Sequence, residues 1–162
     1  MIQRFQSVLL LIAAIFMILV LFFPLWQKVD TRASEIASIT AFTLRYEKFD
    51  PSGERSLISE KQTFYISGLA VVSALVALFS VFQYRNRLRQ IQLGALNSLL
   101  IGGTLGTALY FILKAEKFLA IEVQGTYQFG FYLPVAALLC NMLANRFIRR
   151  DESLVRSADR IR

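Results

Sequence analysis

The sequence contains no histidine and only one cysteine, Cys140. Histidine is the commonest general base and the commonest metal ligand in proteins, so the usual basis for either kind of site is missing. A single cysteine excludes an intrachain disulfide and a cysteine-based metal site. Cys140 lies inside an apolar run, and we interpret it as a small packing residue. We therefore expect no metal and no cofactor.

Charged residues are also scarce, since they form 18% of the chain against roughly 25% in soluble domains. Four stretches contain no charge at all, and each is close to the length of about 20 residues that a helix needs to cross a membrane. They are residues 8–26, 64–82, 91–113 and 127–145. We predict an all-α membrane protein with four transmembrane helices, folded as a single domain over residues 1–162. The first stretch is longer than the apolar core of a signal peptide, about 7–15 residues, which favours an uncleaved helix.

The predicted spans contain no Asp, Glu, Lys, Arg or His, the residues that usually mark ion paths and proton relays inside a membrane. Asn97 and Asn141 are interpreted as a hydrogen-bonding pair that holds two spans together. The chain also lacks the phosphate-binding motif G-x-x-x-x-G-K-[ST] and the nucleophile motif G-x-S-x-G. We therefore predict a protein that is not an enzyme.

Arginine is concentrated on one side of the predicted membrane. The N-terminus, the loop between the second and third spans and the tail 146–162 together hold ten arginines and three acidic residues. The difference of seven charges equals the net charge of the whole chain, +7. Because basic loops tend to remain in the cytoplasm, we predict that both termini are cytoplasmic. The segments 27–63 and 114–126 then face outward.

The two outward segments contain strand-forming sequence. "ASITAFTLRYEKF" at 37–49 is rich in β-branched and aromatic residues, 50–53 is a turn signal, and "SLISE" can return as a second strand. "FLAIEVQ" at 118–124 shows partial alternation. A hairpin alone is marginal in water, so a third strand from this segment would stabilise it. Two structures remain open, a small sheet that covers the helices and an irregular solvated loop.

The third span carries a small residue at every fourth position, namely Gly94, Ser98, Gly102 and Gly106. This spacing allows two helix backbones to approach closely in lipid. Two interpretations remain open. The stripe packs the second and third helices together, which we favour, or it docks onto a partner chain.

The tail, "NRFIRRDESLVRSADRIR", is basic and amphipathic. On a helix, its apolar residues share one face and most of its arginines the opposite face, although Asp151 breaks the pattern. We predict a helix through about residue 160 that docks by its apolar face on lipid or on protein. A projecting helix that binds an acidic partner or RNA is the other interpretation, but we expect no nucleic acid. The predicted contact residues are Arg149, Arg150, Leu154, Arg156 and Ile161.

The start "MIQRFQS", a first span that ends near Pro24, and the end "RRDESLVRSADRIR" resemble a domain-of-unknown-function family, DUF4293. The resemblance extends over the whole chain. It implies a four-span protein of the inner membrane of a Gram-negative bacterium, typical of Bacteroidota. It implies no activity, cofactor or catalytic residue.

The function that we expect is non-catalytic: an accessory or structural subunit that docks onto a larger complex of the inner membrane. The expected partners are membrane lipids and other membrane proteins. The alternative is a small transporter or lipid-handling protein, which would need a cavity between the helices. Four spans with short loops enclose little volume, which counts against that alternative.

Overall fold

The computed structural model describes most of the chain as helices and strands, with short gaps. The described residues are 2–30, 34–49, 55–83, 86–117 and 124–159. In chain order the elements are α1 (Ile2–Leu19), β1 (Trp26–Asp30), β2 (Glu35–Ile39), β3 (Thr43–Phe49), β4 (Arg55–Gln62), α2 (Phe64–Phe82), α3 (Arg87–Glu116), β5 (Thr126–Tyr127) and α4 (Phe129–Asp159).

The prediction of an all-α protein with four transmembrane helices is wrong. The described residues form four helices together with a five-stranded antiparallel sheet, so the fold is mixed α and β. By length and composition, three helices are able to cross a membrane, and these are α2, α3 and α4. The first helix is shorter than the apolar stretch from which it was predicted.

The helix α1 ends before the predicted first span does. The apolar run 8–26 predicted a helix as far as Trp26, but α1 ends at Leu19 and β1 begins at Trp26. The 18 residues of α1 rise about 27 Å, less than a hydrocarbon core of about 30 Å. Leu25 and Trp26 are each 1% exposed, because the end of the apolar run enters the protein core as a buried strand. Apolar composition alone does not separate such a strand from a membrane helix.

The sheet has the strand order β4-β3-β2-β1-β5, with every neighbouring pair antiparallel. The strands predicted within 37–49 and at "SLISE" are confirmed, because these residues contribute to β2, β3 and β4. The strand β1 was missed. The second outward segment does add a strand, but Thr126–Tyr127 forms it and not the predicted 118–124. The predicted turn 50–53, like residues 118–123, lies outside the described residues.

The sheet covers one end of the helices. Ala37 and Ile39 of β2 are fully buried and belong to one apolar core with Ile66 of α2 and Ala115 of α3. The backbone nitrogen of Ser67 donates to the carbonyl of Ala41 at 3.2 Å, which fastens α2 to the turn between β2 and β3. The small sheet therefore shares its core with the helices.

The four helices pack side by side, and we call them the helical body. The helix α1 contacts α2 and α4, and α3 contacts the same two helices. The ring centroids of Phe5 and Phe147 lie 5.5 Å apart at one end of the body. At the sheet end, those of Phe23 and Phe129 lie 5.3 Å apart. The helices α1 and α4 are therefore antiparallel.

The helices α3 and α4 are longer than the predicted spans 91–113 and 127–145. They contain 30 and 31 residues and rise about 45 Å, which is more than the hydrocarbon core requires. The helix α4 continues into the basic tail as far as Asp159, so the predicted helix through about residue 160 is confirmed. The predicted span 64–82 coincides with α2.

The outward surface of the helical body is apolar. Leu75 on α2, Leu99 on α3 and Leu139 on α4 are 60%, 75% and 58% exposed. A soluble protein rarely leaves so extended an apolar surface in water. Exposed aromatic rings lie at both ends of the helical body, where membrane interfaces favour them. Phe5 and Phe82 lie away from the sheet. Those near the sheet end include Phe22, Tyr65, Tyr110, Phe129 and Tyr132. The protein is therefore a membrane protein.

Candidate functional site

A buried polar cluster lies inside the helical body. The hydroxyl of Ser73 on α2 donates to Oδ1 of Asn97 on α3 at 2.7 Å, and Nδ2 of Asn97 donates to Oδ1 of Asn141 on α4 at 3.3 Å. Nδ2 of Asn141 in turn donates to the Gly94 carbonyl at 2.7 Å and to the Ser98 hydroxyl at 2.8 Å. The predicted pairing of Asn97 with Asn141 is confirmed. The cluster joins three helices, because its polar groups form hydrogen bonds with one another.

A second polar contact joins the sheet to the helical body. Nζ of Lys28 on β1 lies 3.3 Å from Oε1 of Glu116 at the end of α3, and Lys28 is only 3% exposed. The same carboxylate oxygen accepts the backbone N–H of Gly125 at 3.2 Å. A Cβ at Gly125 would collide with the indole of Trp26, so only glycine allows this approach. The pairing of Lys28 with Glu116 was not predicted from the sequence, and it joins the sheet to the end of α3.

The small-residue stripe of α3 does not face one neighbour along its length. Gly94 packs against the side chain of Asn145 on α4, where a Cβ would collide, and Ser98 bonds to Asn141. Gly102 and Gly106 are exposed, and a Cβ at either position would meet no atom of the described part of the chain within 4 Å. At about 100° per residue, twelve residues rotate the direction of the stripe by about 120°. The neighbour of Gly94 and Ser98 is therefore α4, whereas α2 was the predicted one.

An open groove runs between α3 and α4, at the end of the helical body that lies away from the sheet. Its volume is about 620 Å³. We call it the arginine groove, because Arg146 and Arg149 of the basic tail form its outer end. Its lining comprises Ala95, Ser98 and Leu99 of α3, and Met142, Asn145, Arg146 and Arg149 of α4.

The basic tail is held at its base by an ion pair. Nη1 of Arg87 lies 3.3 Å from Oδ2 of Asp151 and donates to the carbonyl of the same residue at 3.2 Å. The acid that breaks the amphipathic pattern of the tail is thus the residue that joins α4 to the start of α3. Beyond this point Leu154 is 55% exposed, and Arg150 is also exposed.

Among the described residues, the first part of the tail's apolar face packs on protein, where Phe147 lies against Phe5 of α1. Ile148 is 1% exposed in a small apolar cluster with Leu10, but Leu154 and Val155 are exposed. The side chain of Arg156 and the whole of Ile161 lie outside the described residues. The docking of the rest of this face on lipid or on protein stays a prediction.

A family model described as Domain of unknown function (DUF4293) matches residues 2–161. The chain belongs to DUF4293. The resemblance seen in the termini is thereby confirmed, and the family description assigns no activity. No curated protein matches the chain.

A small cavity of this DUF4293 chain lies between the sheet and α3, with a volume of about 130 Å³. Leu44, Tyr46 and Phe111 line it together with Lys61 and Lys114. Burial raises the pKa of Tyr46 above its ordinary value, so its hydroxyl stays protonated at neutral pH. Among the described residues, no group of three or more His, Cys, Asp or Glu side chains lies close enough to hold a metal ion.

Proposed function

We propose that this DUF4293 protein is a non-catalytic accessory or structural subunit of the inner membrane, and that it binds a transmembrane helix of a larger complex. The observation that carries the proposal is the position of Gly102 and Gly106, which lie in open space on the outward side of α3. Glycine inside a helix costs about 1 kcal/mol relative to alanine. Among the described residues, no neighbouring element approaches either position so closely that it requires a glycine there.

The residues around the two glycines form a continuous surface, which we call the α3 outer face. Every residue of this face is exposed. Successive residues are alternately four and three positions apart, as in the contact surface of two paired helices. They are Ala95, Leu99, Gly102, Gly106, Leu109 and Leu113. The small residues at the centre permit close approach of a second backbone, and the leucines on either side supply the packing that drives association in lipid.

The orientation that we propose places the arginine-rich end of the helical body in the cytoplasm and the sheet outside. Arg87 at the start of α3 and Arg146, Arg149 and Arg150 on α4 lie at the end away from the sheet. Basic residues close to membrane helices favour the cytoplasmic side. An inner-membrane location in a Gram-negative bacterium of the Bacteroidota belongs to the same proposal, and membership of DUF4293 supports it.

A non-catalytic role agrees with the use of the polar side chains. The buried amides of Asn97 and Asn141 bond to neighbouring helices, and the buried Lys28 pairs with Glu116. Groups that are saturated with internal hydrogen bonds stabilise a structure and are poorly placed to act as acid or base.

Copurification from a mild detergent extract tests the proposal. The variant Gly102→Ile with Gly106→Ile adds two branched side chains to the α3 outer face, where a Cβ meets no atom of the described residues within 4 Å. Gly68→Ile is the control, because Gly68 on α2 is equally open. We expect the double variant to lose specific membrane partners that the control retains, at unchanged thermal stability. Equal recovery of partners by both variants would contradict the proposal.

A second candidate is a lipid-handling protein, and the arginine groove is the observation that favours it. Such a protein would carry lipid between membranes or between leaflets. The groove is open along the side of the helical body, which suits a bound lipid better than an enclosed carrier cavity. Transfer of labelled phospholipid between donor and acceptor vesicles, faster with the protein than without it, would favour this candidate over the first.

A further inference from the structure

We propose that the arginine groove is a binding site for one anionic phospholipid, whose phosphate lies against Arg146 and Arg149 and whose acyl chain lies along Leu99 and Met142. The inference shares Ala95 and Leu99 with the α3 outer face, but it depends on the groove between α3 and α4 and on two cations that the proposed partner does not require. Arg149 was predicted to contact lipid or protein as part of the tail, but the groove between α3 and α4 was not predicted.

The polarity of the groove follows that of a phospholipid. Met142 and Arg149 lie seven residues apart on α4, a rise of about 10 Å along the helix axis. Over this distance the lining changes from the apolar Leu99 and Met142 to two guanidinium groups at the end away from the sheet. A phospholipid changes in the same direction, from an apolar acyl chain in the hydrocarbon layer to a charged head group at the membrane surface.

The two cations of the groove are available to a ligand. Arg87 is neutralised by Asp151 at 3.3 Å, and Arg45 on the sheet lies 3.2 Å from Glu60. Within the described part of the chain, neither Arg146 nor Arg149 has such a partner. Both side chains are exposed. Arginine donates several N–H groups in a planar arrangement that suits phosphate oxygens.

The floor of the groove depends on a glycine in the neighbouring helix. Because Gly94 has no Cβ, the amide of Asn145 lies directly against the backbone of α3 and is only 9% exposed. Ala95, one residue further, adds only a methyl group to the wall. These small residues keep open a volume of about 620 Å³, within the range of about 300–1,000 Å³ of ligand pockets.

The position of the groove favours a lipid over a soluble anion. Leu99 is 75% exposed and Met142 is 56% exposed, and a phosphate ion would leave both side chains without a contact. A zwitterionic lipid brings a cation beside its phosphate, which weakens the attraction to two arginines. Anionic head groups, by contrast, are attracted to basic residues at the membrane surface.

Native mass spectrometry of the full chain in a mild detergent tests the site. The probes are phosphatidylglycerol, phosphatidylcholine and inorganic phosphate. We expect one phosphatidylglycerol to bind at least about fivefold more tightly than phosphatidylcholine. This factor corresponds to the attraction of about 1 kcal/mol between one basic residue and an anionic membrane surface. Inorganic phosphate should not displace it. Equal affinity for both lipids, or displacement by phosphate, would overturn the proposal.

Variants separate the groove from the general positive charge of the tail. Arg149→Gln and Arg150→Gln remove the same charge from neighbouring exposed positions, but only Arg149 lines the groove. We expect Arg149→Gln to weaken phosphatidylglycerol binding about fivefold and Arg150→Gln to have less than half that effect. Ala95→Trp should abolish binding without any change of charge. Equal losses from the two arginine variants, or unchanged binding by Ala95→Trp, would show that no specific groove site exists.

Discussion

Lys28 and Glu116 are 88 residues apart in the chain, yet the ammonium and a carboxylate oxygen lie 3.3 Å apart. Lys28 belongs to the first strand of the sheet and Glu116 to the last turn of α3. The contact therefore fixes the sheet on the end of the helical body. Since the Lys28 side chain is almost wholly buried, the loss of its partner would leave a charge without compensation.

Glu116→Gln should destabilise the protein by about 2 kcal/mol. Breaking a fully buried pair costs roughly 3–5 kcal/mol, and the one-third exposure of Glu116 lowers the expected value. Fluorescence of Trp26, the single tryptophan and a neighbour of this contact, reports the unfolding transition in detergent. Glu60→Gln, which removes an exposed pair with Arg45, is the control and should cost less than about 0.5 kcal/mol. Equal costs for the two variants would contradict the assigned role of the contact.

Glycine-to-alanine variants should separate packed positions from open ones. A Cβ at Gly130 would lie 2.5 Å from the carbonyl oxygen of Pro24, and a Cβ at Gly94 would collide with Asn145. We expect Gly130→Ala to cost about 2–3 kcal/mol and Gly94→Ala about 1–2 kcal/mol. Gly102→Ala should be neutral or stabilising by up to about 1 kcal/mol. Thermal unfolding in one detergent provides the comparison, and a loss at Gly102 equal to that at Gly130 would refute it.

Asn141→Ala should lower the free energy of unfolding more than Ser73→Ala does. Asn141 takes part in three hydrogen bonds of the buried cluster, and Ser73 takes part in one, with Asn97. Such bonds between membrane helices contribute about 0.6 kcal/mol each. The expected losses are therefore about 2 kcal/mol and about 0.6 kcal/mol. Unfolding of both variants in mixed micelles measures the difference, and a larger loss for Ser73→Ala would be incompatible with the cluster described above.

Asp151→Asn should loosen the tail without affecting membrane insertion. The substitution weakens the ion pair with Arg87 that joins α4 to the start of α3. Limited proteolysis in native membranes should cut the tail several times faster in this variant than in the wild type. Glu60→Gln, which removes the same charge from the sheet, serves as the control. If Asp151→Asn leaves the cleavage rate unchanged, the ion pair does not hold the tail.

The sequence identified the long helices more reliably than it identified the first. The span 64–82 coincides with α2, because its charge-free run is bounded at both ends by polar residues. In the first run, apolar residues continue from α1 through a turn into Trp26 of a buried strand. A membrane helix and a buried strand are both apolar, so the run did not show where the helix ends.

The candidate surfaces were predictable only in part. The repeat of Gly94, Ser98, Gly102 and Gly106 was visible, but its rotation around α3 depends on helix geometry that a four-residue spacing conceals. The ion pairs at Glu116 and Asp151 join residues far apart in sequence. The tertiary fold determines which residues pair with them, and no local pattern in the sequence predicts those partners.

The most direct test of the account is photo-crosslinking from a single side chain in intact membranes. A photoreactive amino acid replaces Leu113 on the α3 outer face or Leu75 on α2, two side chains that are each 60% exposed. We expect a discrete adduct with another membrane protein from position 113, abolished by Gly102→Ile with Gly106→Ile, and no such adduct from position 75. The same adducts from both positions, only lipid adducts from position 113, or an adduct of twice the mass of the chain itself would contradict the account.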